Sequence, residues 1–160
     1  MPRLHHVQKA RKSYPDDNIN AGDSYYWWQF AFGPKMKSKT KPRRSQLTQS
    51  GFLSNLYDLQ DGLANRFTDI DAIDDDKQTL IDELEQMKDE CQDSLDNMPE
   101  HLQEASPAGE LLTERIDGLE EWVSELESID AEIDEDLKGE DREERYQEII
   151  NEIHETDSHF

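Results

Sequence analysis

The sequence predicts an α+β chain that is mainly α: a small antiparallel β-sheet head, then long antiparallel helices forming a helical hairpin or a three-helix coiled coil. Three observations carry this. The aromatic run Tyr25 to Phe32 has strand character and stops at Gly33-Pro34. Beyond residue 50, apolar residues recur at steps of three and four, the spacing of one helix face. The chain is 33 % hydrophobic and 35 % charged, so its core is thin, which suits narrow helical seams better than a compact globule. The expected division is a basic aromatic head, residues 1–44, and an acidic helical body, residues 45–160.

In the head, Leu4 to Lys12 predicts a short strand, and Pro15 to Gly22 a turn-rich connection. In the aromatic strand, period-two alternation assigns Tyr26, Trp28, Phe30 and Phe32 to a core face and Tyr25, Trp27, Gln29 and Ala31 to the other. Lys35 to Thr40 returns antiparallel with its lysines outward. A two- or three-stranded sheet results.

In the body, Ser45 is the expected N-cap of the first long helix. Its stripe is Phe52, Leu56, Leu59, Leu63, Phe67 and Ile70. Asp74, Asp75 and Asp76 form a turn and an acidic start for the second helix, with stripe Leu80, Leu84, Met87, Cys91, Leu95 and Met98. Pro99 interrupts it. Ser106-Pro107 restarts a helix as cap plus first-turn proline. The third stripe is Leu112, Ile116, Leu119, Val123, Leu126, Ile133 and Leu137, with Asp130 the polar position of its heptad and Gly139 the stop. A last short helix carries Tyr146, Ile149, Ile150 and Ile153, and the tail from His154 to Phe160 is expected to fray.

Charge separates the two parts. Residues 1–50 hold ten Lys/Arg and three Asp, a net of +7; residues 51–160 hold seven Lys/Arg and thirty-six Asp/Glu, a net of −29. The body therefore repels nucleic acid and anionic membranes, and direct nucleic-acid contact is expected only through residues 1–50. The single cysteine, Cys91, allows no intramolecular disulfide and reads as a small core residue. No apolar run has signal-peptide or membrane-span length, so a soluble, cytoplasmic protein without membrane contact is expected.

Catalytic and metal signatures are absent. There is no G-x-S-x-G, no phosphate-binding glycine loop and no C-x-x-C; the five histidines are scattered. Asp69 to Asp74 starts like a calcium loop but fails at Ile73, and Asp134 to Gly139 places Lys138 where a ligand belongs. No enzyme, cofactor or specific metal site is expected.

Two binding surfaces remain. Carboxylates along a rigid third helix can imitate the phosphate array of duplex DNA: Glu114, Asp117, Glu120, Glu121, Glu125, Glu127, Asp130 and Glu132. A helix of about 30 residues would span about 45 Å. The bland alternative is a solvated coiled-coil surface. In the head, Tyr25 and Trp27 beside Lys35, Lys37, Lys39, Arg43 and Arg44 can stack on bases and follow phosphates. The bland alternative there is that every aromatic is needed to build a core for so small a sheet, and that the cations neutralise acidic helices.

Three strings, Gly22-Asp23-Ser24-Tyr25-Tyr26-Trp27-Trp28, Ser45-Gln46-Leu47-Thr48-Gln49-Ser50, and Asp96-Asn97-Met98-Pro99-Glu100 through Leu119-Glu120-Glu121-Trp122, carry a resemblance to an uncharacterised family of tailed-bacteriophage proteins. Its apparent members bear a cysteine-based zinc module before a similar helical body; those cysteines are missing here, so a zinc-dependent role is not carried over. The resemblance implies phage origin and expression in a bacterial host cytoplasm, and no activity.

The expected function is accordingly non-enzymatic: a phage-type protein that modulates or inhibits a host nucleic-acid-handling or defence complex by DNA mimicry. The alternatives are a nucleic-acid-binding protein acting through the head, and a coiled-coil scaffold. Homodimerisation is compatible with each.

Overall fold

The computed structural model describes residues 1–156. It is mainly helical, with one small three-stranded antiparallel sheet, as the sequence predicts. The chain divides into two compact units, Met1–Asp61 and Gly62–Phe160. The predicted junction at residue 44 falls where a short 3₁₀ turn, Arg44–Leu47, begins.

In the first unit, β1 (His5–Val7), β2 (Tyr25–Gln29) and β3 (Lys35–Ser38) lie in that order across the sheet. Trp27 stands opposite His5 on one side and Lys37 on the other. The predicted single core face needs correction. Trp28 is buried from one side of the pleat and Tyr25 from the other. Phe32, assigned to the core, is fully exposed. The reason is local: β2 stops at Gln29, and the Gly33 N–H closes a turn onto the Phe30 carbonyl, so Phe32 has left the pleat. Tyr25 is covered by the connection between β1 and β2, whose Ala10 and Ile19 pack with it, flanked by Val7, Tyr14 and Trp27.

Helix α1 is Gly51–Arg66. Its cap is Ser50, not Ser45: the Ser50 hydroxyl accepts the Leu53 N–H at 3.3 Å. Ser45 is buried in the 3₁₀ turn, where its hydroxyl donates to Asp58 at 2.7 Å and its carbonyl accepts from Ser54.

In the second unit, α2 (Ile73–Asp96) and α4 (Pro107–Ser128) are joined through the short α3 (Glu100–Gln103), and α5 (Glu140–Glu155) closes the chain. Lys77 reaches Ile129 and Lys88 reaches Glu120, so α2 and α4 run antiparallel. The predicted stripes form the seam: Leu80, Leu84, Met87 and Cys91 face Ile116, Leu119, Val123 and Leu126 as buried residues. Asp74, Asp75 and Asp76 lie in the first turn of α2 rather than before it. Ser106 caps α4 as expected, its hydroxyl accepting the Gly109 N–H at 3.1 Å.

The third helix is shorter than the sequence predicts. It ends at Ser128, and Ile129 is extended. From Asp130 the backbone finds other partners: the Asp130 carboxylate accepts the Glu132 N–H, and the Asp134 carboxylate accepts that of Asp136. Short acidic side chains compete in this way with the helical ladder. Ile133 and Leu137 therefore belong to an irregular connection. Gly139, expected to stop the helix, instead precedes α5 with a φ of 63°. On α5, Tyr146, Ile149 and Ile153 are buried, and its last helical residues are His154 and Glu155. The rest of the predicted frayed tail, beyond Thr156, lies outside the described residues.

Candidate binding surfaces

The head positions its aromatics by cross-strand pairing. His5 stacks on Trp27 with ring centroids 4.0 Å apart, and the Lys35 ammonium sits 4.5 Å from the Trp27 ring, so strands on both sides flank the indole. His6 stacks on Tyr26 in the same way at 4.5 Å. Tyr25 is buried against Tyr14, and burial raises its phenol pKa above the ordinary value. Of the two rings expected to meet bases, one is thus interior and the other already flanked.

The head cations are also engaged. Lys37 lies 3.3 Å from Asp17 and 4.3 Å from the Tyr14 ring. Lys39 pairs with Asp23 at 2.8 Å; that hydrogen bond, with a second from the Asn20 N–H, holds the Asp23 carboxyl below its ordinary pKa. Arg43 lies 3.8 Å from Asp58. Arg44 lies 3.8 Å from Asp61 and 4.2 Å from the Tyr57 ring. These cations hold the head together with carboxylates of its own unit.

Concavities in this unit include two of similar size. One, about 560 Å³, is lined by Met1, Phe30, Leu47, Leu53 and Tyr57 among others, and is largely apolar. The other, also about 560 Å³, is formed by Lys9, Ala10, Arg11, Ala21 and Gly22. In the sequence Lys9 and Arg11 stand well before the aromatic run Tyr25 to Phe32, and no local pattern marks them.

On the body, Glu114, Asp117, Glu120, Glu121 and Glu127 are exposed along α4, and Glu125 is half-buried. Glu120 has Lys88 at 3.8 Å. Asp130 and Glu132 are not part of this row, because they follow the helix end. With 22 residues, α4 is about 33 Å long, not about 45 Å. Trp122, beside the row, is packing: it is buried, and its indole N–H donates to Thr156 Oγ1 at 2.9 Å.

Where α2 begins, a cavity of about 670 Å³ collects Asp71, Asp74, Asp130, Glu132, Asp134 and Glu135 around Arg142, which pairs with Asp71. Among the described residues, no group of three or more His, Cys, Asp or Glu is arranged to hold a metal ion. Likewise no helix is long and apolar enough to cross a membrane.

Comparison with protein-family models, with curated proteins and with solved structures finds no match.

Proposed function

We propose that this chain is a non-enzymatic binding protein whose acidic helices occupy the basic, nucleic-acid-binding surface of a protein partner. The phage resemblance extends the proposal to a modulator or inhibitor of a host nucleic-acid-handling or defence complex, acting in the bacterial cytoplasm.

The observation that carries it is charge density on a fixed frame. Residues 62–160 hold thirty-four carboxylates against seven Lys/Arg, so most carboxylates have no cation available. Helix α2 carries a net of −8 and α4 a net of −6. Running antiparallel, they place 14 net negative charges along about 35 Å, or one per about 2.5 Å. Duplex DNA has one per about 1.7 Å. The buried seam holds the two helices in register, so the charges present a persistent array rather than a fluctuating tail. A basic groove evolved for a duplex meets a comparable field here, and association is steered by it.

The test is affinity capture from bacterial lysate at low and moderate salt, with nuclease treatment in parallel. The expected result is a nuclease-resistant protein partner that duplex DNA displaces and that is lost as salt rises. Replacing Glu114 and Glu121 by Gln and Asp117 by Asn should weaken capture, so that the partner is lost at lower salt. Undiminished capture by that variant, or a partner that disappears with nuclease, would overturn the reading.

A further inference from the structure

The first unit contains ten Lys/Arg and five Asp. Four of those carboxylates, Asp17, Asp23, Asp58 and Asp61, are taken by Lys37, Lys39, Arg43 and Arg44. Four of the five cations that look most like a nucleic-acid surface in the sequence are thus paired by the fold, and the fifth, Lys35, lies over the Trp27 ring. Arg3, Lys9, Arg11 and Lys41 are exposed, and among the described residues none has a carboxylate partner. Three of these four lie within ten residues, together with Lys12, whose ammonium is 5.4 Å from the Tyr14 ring.

Lys9 and Arg11 line one concavity together with Ala10, Ala21 and Gly22. The latter three residues are small, and two backbone hydrogen bonds tie their segments together. The Gly22 N–H donates to the Ala10 carbonyl at 2.8 Å, and the Ala10 N–H donates to the Asp23 carbonyl at 2.8 Å. Gly22 has a φ of 97°, and the space where a Cβ would project is open. A guanidinium-bearing and an ammonium-bearing residue lining one concavity suit a tetrahedral oxyanion, with the arginine fork giving two donors. Arg3, two residues before β1, extends the charge to at most about 20 Å from Lys9 along the chain, a span that covers several successive phosphates of a strand. A row of cations with this reach fits a regularly charged polymer better than a single anion.

We propose that the segment Arg3–Lys12 contacts a nucleic-acid backbone, with Lys9 and Arg11 seating a phosphate over Ala10, Ala21 and Gly22. The contact is sequence-independent, because nothing in it reads a base edge. It is independent of the acidic-helix reading, and the two fail separately.

The test is fluorescence anisotropy of the full chain with a labelled 20-nucleotide DNA, single-stranded and duplex, at about 20 to 150 mM salt; at these ionic strengths the acidic body is screened beyond about 10–20 Å. The expected result is micromolar-range binding at low salt by at least one probe, with Lys9→Gln/Arg11→Gln weakening it about fivefold or more and flattening the salt slope by about two units. Among the described residues neither side chain has a structural partner, so thermal unfolding of that variant should match the parent. The charge-matched variant Arg43→Gln/Arg44→Gln should bind within about twofold of the parent. No binding at 20 mM salt would overturn the proposal. So would equal losses in the two variants, or displacement of DNA by polyglutamate at the same charge concentration as unlabelled DNA.

Discussion

The Lys77 ammonium donates a 2.7 Å hydrogen bond to the carbonyl oxygen of Ile129, the residue that caps α4 after its last helical residue, Ser128. Lys77 is 8 % exposed, and its second partner is Asp74 at 3.6 Å. The last carbonyls of a helix lack intrahelical donors, and a cation is the favoured group there. One lysine from α2 thus satisfies the end of α4 through a bond between residues fifty-two positions apart in the chain.

Replacing Lys77 by Met keeps the apolar stem and removes the donor. The Ile129 carbonyl is then left without that partner, at a cost of about 1–3 kcal/mol. Urea denaturation of the full chain measures this. A change below about 0.3 kcal/mol would mean that water replaces the ammonium without loss.

Trp122 and Thr156 form the corresponding tie between α4 and the end of α5. The Thr156 hydroxyl accepts the indole N–H at 2.9 Å and donates to the Ile153 carbonyl at 2.7 Å. Thr156→Val preserves shape and strands the buried indole N–H. A loss of about 1–3 kcal/mol is expected. Trp122→Phe combined with Thr156→Val should show coupling, since both changes remove one interaction.

Gly109 and Gly62 both lie in helices, and alanine should act on them in opposite directions. A Cβ at Gly109 would fall 2.0 Å from the Gln103 carbonyl oxygen, so the backbone of the α3–α4 turn must move. Gly109→Ala should cost about 1–3 kcal/mol. A Cβ at Gly62 meets nothing within 4 Å. Gly62→Ala should stabilise by about 0.5–1 kcal/mol. Differential scanning calorimetry of both variants tests the pair; destabilisation by Gly62→Ala would contradict the open space.

Tyr146 gives the second unit an alkaline limit. Its hydroxyl donates to the Phe67 carbonyl at 2.8 Å, and burial, reinforced by the Glu143, Asp69 and Asp76 charges, raises its pKa above 10.0. The unfolded chain then releases this proton at lower pH than the folded one. The tyrosine's contribution is complete below about pH 10 and is lost as pH climbs toward the raised folded value. Tyr146→Phe should cost about 1 kcal/mol at pH 8 and narrow its deficit against the parent at higher pH. Urea titrations at pH 8 and pH 10.5 compare the two.

The helical part of the fold was readable because burial on a helix repeats with the helix period. Leu80, Leu84, Met87 and Cys91, and Ile116, Leu119, Val123 and Leu126, announce their seam without knowledge of the partner. Ser106-Pro107 announces its cap for the same local reason. Ser45 misled, because a hydroxyl near a helix start can cap or can be buried against a distant carboxylate, and Asp58 decides which.

The candidate surfaces were less readable. Composition alone located the acidic body, since thirty-four carboxylates cannot be neutralised by seven cations wherever the chain goes. Which head cations remain open depends on pairings such as Lys39 with Asp23 and Arg44 with Asp61, sixteen and seventeen residues apart. Periodicity and composition do not encode such pairings.

By itself, then, the sequence determined the class of fold, the helical seams, the sign of charge on each part and the burial of Cys91, because each follows from local spacing or from counting. Tertiary structure decided that α4 stops at Ser128, that Tyr25 is interior while Phe32 is exposed, and that Lys9 and Arg11 rather than Arg43 and Arg44 are left unneutralised. Each of those outcomes turns on a partner brought close by folding, and hydrogen bonds and ion pairs reward proximity in space, whatever the separation along the chain.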